Sequence, residues 1–147
     1  HNRRERPEIA EPLMAQYCDL NTLLQTSDFV VVAVDLNADS KALMSTEQFA
    51  QMQPHAVFVN IARGSVVDEI ALIEAIKSHQ IFAAGLDVYQ KEPLQESALF
   101  SLERVVTLPH VGSATAATRK RMAELAYQNL VDALEDRTPR YIVNTGF

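Results

Sequence analysis

Four short apolar runs, at residues 29–34 (FVVVAV), 56–61 (AVFVNI), 81–86 (IFAAGL) and 105–108 (VVTL), recur along the chain with helix-like segments between them. Runs rich in β-branched residues and without polar alternation suit strands buried on both faces, an arrangement found in parallel sheets covered by helices. Alternation of such strands with helical segments makes βαβ units. The pattern therefore predicts an α/β fold, a parallel sheet with flanking helices on both faces.

The intervening segments carry helix signals. Pro7 suits the first turn of a short helix with Ile9, Leu13 and Met14 on one side, because the missing N–H would be unsatisfied there anyway. Asp19 precedes Leu20, Leu23 and Leu24 as an N-cap. Ser45 and Gln48 have capping-box spacing ahead of Phe49 and Met52, in a helix expected to stop near Pro54. Asp68 caps residues 69–78, where Leu72, Ile73 and Ile76 recur at helical spacing. The longest helix is expected from about residue 114 to 136, with Met122, Leu125, Ala126, Asn129, Leu130, Ala133 and Leu134 forming a face that reads as core. Tyr141, Ile142 and Val143 suggest a final extended piece.

Composition bounds what such a fold could do. With 147 residues, 48% of them hydrophobic and 22% charged, the chain suffices for one ordinary domain and not for two. Thirteen basic against 19 acidic residues give a net charge of -6, which argues against nucleic acid or an anionic membrane as the main partner. The single cysteine, Cys18, cannot form an internal disulfide and reads as a buried apolar side chain, and no Cys/His set has the spacing of a zinc site. A reducing compartment, by default the cytoplasm, is expected. No apolar stretch reaches the ~20 residues that span a bilayer, and no signal peptide opens the sequence. The charged opening His1-Asn2-Arg3-Arg4, without an initiator Met, suggests an excerpt of a longer protein.

In parallel sheets ligands bind beyond the carboxyl ends of the strands. Asn60-Ile61-Ala62-Arg63-Gly64 follows the second run, with an Arg fork able to take a carboxylate and a glycine expected to allow a tight turn. Asp87 follows the third run, with Glu92-Pro93 in the same loop, and His110 follows the fourth. Parallel strands would bring an arginine, an acid and a histidine to one edge, as an active site requires. Taken singly, Arg63 could serve an ion pair, His110 a helix cap, Glu92 and Asp87 a solvated loop, and Arg3 and Arg4 a solvated chain end. His1, His55 and His79 read as surface residues with no partner in a motif.

Three consecutive segments, MQPHAVFVNIARGSVVD (52–68), GLDVYQKEP (85–93) and LPHVGSAT (108–115), resemble the signatures of the D-isomer-specific 2-hydroxyacid dehydrogenases, in particular the glyoxylate/hydroxypyruvate and 2-ketogluconate reductase branch. The resemblance covers nearly the whole chain. It departs at His55, where the family has Gly, and at Asp35-Leu36-Asn37, where the family has a Pro-Leu-Thr turn near the adenine side of the cofactor.

The resemblance implies that Arg63 binds the substrate's carboxylate and carbonyl oxygens, that His110 is the general acid/base, and that Glu92 hydrogen-bonds the other imidazole nitrogen. A carboxylate there would favour the imidazolium and raise its pKa from the reference ~6.5. The family's formate-oxidising relatives carry an amide instead of this acid, so Glu92 points to hydroxyacid chemistry. Asp87 would orient the nicotinamide carboxamide, and cofactor contacts are implied at Asn2, Arg3, Arg4, Ala62 and Gly112. Two arginines and no acid at Arg3 and Arg4 suggest NADP(H), with NAD possible.

The glycines, at 64, 85, 112 and 146, cannot form GxGxxG. Residues 1–147 are therefore expected to be the second half of a Rossmann-type dinucleotide-binding domain, without the phosphate loop or the substrate-binding domain. Such a piece would have little activity alone, while the intact enzyme would reduce a small 2-keto acid, as a homodimer. Two alternatives stay open: a non-catalytic module like the corepressors that share this fold, and a half-domain that dimerises or swaps through an exposed strand edge.

Overall fold

The computed structural model describes residues 1–142. They form two compact units, His1–Pro109 and a second that starts at His110.

The first unit is built on four strands, β1 (Phe29–Val32), β2 (Val57–Asn60), β3 (Ala83–Leu86) and β4 (Val105–Thr107), paired in sequence order and all parallel. Each strand is shorter than its apolar run, because residues such as Ala33, Val34 and Ile61 leave the ladder and enter the loops at its carboxyl edge. The register aligns Val30, Phe58, Ala84 and Val105 across the sheet, and Val32, Asn60, Leu86 and Thr107 one pleat further on.

Since side chains alternate across a strand, these rows share one face. That face is covered by α2 (Leu20–Thr26), α3 (Thr46–Gln51) and α4 (Glu69–Lys77), whose Leu24, Phe49, Leu72, Ala75 and Ile76 join Val30, Val32, Phe58, Ala84 and Leu86 in one core. Phe49 and Phe58 meet edge to face with centroids 5.2 Å apart, a favoured aromatic geometry. The expected burial of both faces does not hold. On the other face Phe29 is 69% exposed, Val31 57% and Val106 63%. An apolar run specifies that both sides of a strand suit burial; it does not supply the second layer.

The caps lie where the sequence placed them. Asp19 Oδ1 accepts from the Thr22 amide at 2.9 Å and Oδ2 from the Thr22 hydroxyl at 2.7 Å, and the amide bond above all holds this carboxyl below its ordinary pKa. Gln48 Oε1 accepts from the Ser45 amide at 3.2 Å and the Ser45 hydroxyl at 2.6 Å. Asp68 Oδ1 accepts from the amides of Ile70 at 3.0 Å and Ala71 at 3.2 Å. The first helix, α1 (Pro7–Ala10), starts with Pro7 and continues into a 3-10 turn, Glu11–Leu13. Its apolar face is not covered, for Ile9, Leu13 and Met14 are all exposed. Cys18 is half-buried rather than a core side chain.

The second unit holds α5 (Ala116–Leu134), capped by Thr115, whose hydroxyl accepts from the Thr118 amide at 3.1 Å. None of its side chains is buried, so the face of Met122, Leu130 and Leu134 expected to be core is exposed. Helical spacing assigns residues to a common face without saying whether anything covers it. Of the expected extended piece, Tyr141 and Ile142 form no strand, and Val143 lies outside the described residues. Among the described residues no helix is long and apolar enough to cross a membrane.

Phe58→Ala should cost about 3–5 kcal/mol in denaturant unfolding, whereas Val31→Ala on the uncovered face should stay within about 0.5 kcal/mol. Equal losses would contradict this assignment of faces.

Candidate active site

The turn after β2 is organised by a buried amide. Asn60, 1% exposed, is the last residue of the strand. Its Oδ1 accepts from the Ala62 amide at 3.0 Å and its Nδ2 donates to the Arg63 carbonyl at 3.0 Å. A buried amide with donor and acceptor both used fixes the backbone around it. Ala62 is buried beneath this clamp, and Arg63 follows in extended conformation with its side chain outward and Nη1 donating to the Ala62 carbonyl at 2.6 Å.

Gly64 is required here for a different reason from the tight turn expected. A Cβ at this position would lie 1.8 Å from the Tyr89 carbonyl carbon, 2.1 Å from its oxygen and 2.3 Å from the Gln90 nitrogen. The absent side chain lets the Arg63 turn press directly on the backbone after β3, which no other residue would permit. Gln90 Nε2 adds a bond to the Val67 carbonyl at 2.8 Å.

That backbone carries the acids. Asp87 is 7% exposed, and its amide donates to the Asn60 carbonyl at 3.1 Å. Glu92 Oε1 accepts from the Tyr89 amide at 3.0 Å, which anchors its carboxylate. The Tyr89 hydroxyl lies 2.8 Å from the Leu108 carbonyl and 3.1 Å from that of Leu86, so its single proton is shared between the ends of β3 and β4. Burial, the largest influence, pushes the Tyr89 phenol above its usual pKa. Asn60 and Tyr89 were not expected as site residues. A lone amide closing an apolar strand was the available signal for the first, and nothing in the local pattern marked the second.

A groove of about 440 Å³ opens at the carboxyl ends of β1 and β2, lined by residues 33–36 and 61–63. Its lining alternates aliphatic side chains with exposed backbone, and Asp35 and Arg63 are its charged members. The loop that continues from this wall is closed by Asn37, whose Oδ1 accepts from the amides of Asp39 at 2.9 Å and Ser40 at 3.1 Å. Asn37 thus makes the turn in the place where the resemblance anticipates Thr. Asp39 Oδ2 is 3.7 Å from Arg3 Nη1, so the opening segment reaches the loop beside the groove. Asn2 and Arg4 flank Arg3 and are exposed. Aliphatic side chains able to flank a flat ring, and the Arg3 guanidinium on the segment that reaches the loop beside the groove, fit a phosphorylated nucleotide.

In the second unit, His110 and Gly112 lie in the segment that leads to the Thr115 cap. His110 has φ 54, in the left-handed region that few non-glycine residues occupy. Such a backbone conformation is often held at functional positions.

The remaining histidines are elsewhere. His55 Nε2 lies 2.7 Å from Asp28 Oδ1 with both side chains in solvent, at the amino-terminal edge of the sheet. His79 contacts Arg104 at that edge, and His1 stacks on Tyr17. Each has a partner, although not one from the three motifs. Among the described residues no group of three or more His, Cys, Asp or Glu could hold a metal ion.

Gly64→Ala should abolish the packing of the Arg63 turn on Tyr89 and Gln90, at a cost of at least about 1–3 kcal/mol. Thermal unfolding of this variant beside Gly85→Ala is the check, since a Cβ at Gly85 would meet only Val59 at ordinary contact distance, 3.8 Å. Equal melting points would contradict the close approach.

Residues 1–112 match the family model for the D-isomer specific 2-hydroxyacid dehydrogenase, NAD binding domain. Glyoxylate/hydroxypyruvate reductase B of Citrobacter koseri is 50% identical over 143 residues, covering 97% of this chain and 44% of the relative. The enzyme of that name from Salmonella newport is 47% identical over 145 residues, 98% of this chain and 45% of its own length. Among solved structures, the NADPH-dependent glyoxylate/hydroxypyruvate reductase of Sinorhizobium meliloti, in complex with NADP and malonate, superposes with a TM-score of 0.84 at 35% identity, covering 91% of this chain and 41% of that one. D-lactate dehydrogenase from Lactobacillus jensenii, with NAD+, gives 0.87 at 27% identity, covering 98% and 47%. The chain thus spans less than half the length of these relatives. The match over residues 1–112, on the parallel sheet described above, shows that the chain belongs to the D-isomer specific 2-hydroxyacid dehydrogenases, in their NAD binding domain.

Proposed function

We propose that these residues are the carboxyl-terminal part of an NADP(H)-dependent reductase that converts a small 2-keto acid of the glyoxylate, hydroxypyruvate or 2-ketogluconate type to a D-2-hydroxy acid. The observation that carries this proposal is the clamped turn of Asn60, which presents Arg63 beside a groove at the carboxyl edge of the sheet. A guanidinium held there binds an α-keto carboxylate through two charge-assisted hydrogen bonds.

When bound, the reduced nicotinamide cofactor supplies the hydride. Arg63 neutralises the substrate carboxylate and stabilises the negative charge that grows on the carbonyl oxygen. His110 donates the proton to that oxygen and takes it back in the reverse direction. Glu92, its carboxylate anchored by the Tyr89 amide, is the acid that the family resemblance assigns to orienting the His110 imidazole. Asp87 would accept from the nicotinamide carboxamide, and Ala62 and Gly112 would each offer the cofactor a backbone contact. Asn2, Arg3 and Arg4 take the 2′-phosphate of NADP(H); with NAD(H) they would face the bare ribose hydroxyls.

The rest of the nucleotide domain, with its glycine-rich phosphate loop, and the substrate-binding domain are assigned to the part of the relatives' length that this chain does not span. The exposed Phe29, Val31 and Val106 support this assignment, since they offer an apolar face for a second layer. Residues 1–147 alone should therefore turn over little or no substrate. The intact protein is a cytoplasmic homodimer acting on a small keto acid, without a nucleic-acid or membrane partner. The reductase names of the relatives favour this function over a corepressor-like module.

Oxidation of NADPH by glyoxylate, followed by absorbance in the intact enzyme, is the test. Arg63→Ala and His110→Ala should each lower kcat/KM by roughly 100-fold or more. Unchanged values in either variant would overturn its role, and no turnover of any 2-keto acid by the intact protein would overturn the reductase assignment.

A further inference from the structure

The loop after β1 sets a carboxylate against Arg3. Asp39 Oδ2 lies 3.7 Å from Arg3 Nη1, with both side chains largely in solvent. Bonds within the loop fix where that carboxylate starts from. Asn37 Oδ1 takes the Asp39 and Ser40 amides, the Ser40 hydroxyl accepts from the Asn37 amide at 2.8 Å and donates to the Asp35 carbonyl at 2.6 Å, and Ser40 itself is buried. Arg3 is tied on its own side. Its amide donates to Asn2 Oδ1 at 2.8 Å, the Tyr17 hydroxyl donates to the Asn2 carbonyl at 2.9 Å, and His1 Nδ1 is 3.2 Å from the Cys18 carbonyl. The two backbones hold the charges near each other by contacts that involve neither charge.

We infer that Asp39 is a specificity-determining residue, which engages Arg3 and thereby narrows the preference for NADP(H) over NAD(H). The inference rests on the proposed role of Arg3 at the 2′-phosphate. A phosphate monoester carries about −1.5 to −2 charges at neutral pH. To reach Arg3 it must displace the Asp39 carboxylate or bind beside it, and like charges at such spacing repel. The uncharged ribose hydroxyls of NAD(H) meet no comparable opposition. Because the pair is exposed, the effect is modest and falls with salt.

In the intact reductase, dissociation constants for NADPH and NADH are to be measured by nicotinamide fluorescence for wild type, Asp39→Asn, Arg3→Ala and the double variant, at low and high ionic strength. Asp39→Asn should raise the NADPH-over-NADH affinity ratio about threefold to fivefold at low salt. The gain should shrink at high salt and vanish when Arg3 is Ala. An unchanged ratio in Asp39→Asn with a lowered one in Arg3→Ala overturns the inference and leaves the phosphate role of Arg3 standing. Unchanged ratios in both variants overturn that role and the inference with it. A gain that persists in the double variant also overturns the inference, since Asp39 would then act independently of Arg3.

Discussion

A single buried amide, that of Asn60, ties the end of β2 to the turn that follows it. It closes β2 inside the core, spends one side-chain atom on the Ala62 amide and the other on the Arg63 carbonyl, and so converts a strand end into a turn of fixed shape. Gly64 then lets that turn lie against the backbone of Tyr89 and Gln90. Tyr89 continues the chain of contacts to Glu92 through its amide, and to the ends of β3 and β4 through its hydroxyl. The arginine loop and the acid-bearing loop of the first unit are therefore one packed object, and a disturbance of Asn60 would be felt in both.

The sheet is legible in the sequence because its strands come from short apolar runs, most of them β-branched, and the helices because Asp19, Gln48 and Asp68 announce their starts. Local pattern could not say what covers each face. Phe29 and Val31 alternate with Val30 and Val32 in the same run, yet only the latter two meet helices. The spacing of Met122, Leu130 and Leu134 likewise assigned them to one face and left its covering unspecified. Arg63 could be found as a charged residue at a strand end. The reason for Gly64 could not, since the atoms that exclude a Cβ there belong to a distant part of the chain. The same holds for Arg3, whose partner Asp39 is brought to it only by the loop after β1.

The uncovered face bears on what these residues are for. Burial of apolar surface is worth roughly 25 cal/mol per Å², so large side chains such as Phe29, Val31 and Val106 left in water amount to stability that a covering layer would recover. A sheet finished on one side is in keeping with a chain that spans less than half the length of its relatives.

In the proposed reductase, Asn60 places Arg63 for substrate rather than for cofactor. Asn60→Asp tests this placement most directly, because an aspartate can still accept from the Ala62 amide but cannot donate to the Arg63 carbonyl. Measured in the intact enzyme, KM for glyoxylate should rise roughly tenfold, the scale of one lost buried hydrogen bond, while NADPH affinity changes little. An unchanged KM, or a loss confined to NADPH binding, would overturn the proposed role of Asn60 in placing Arg63.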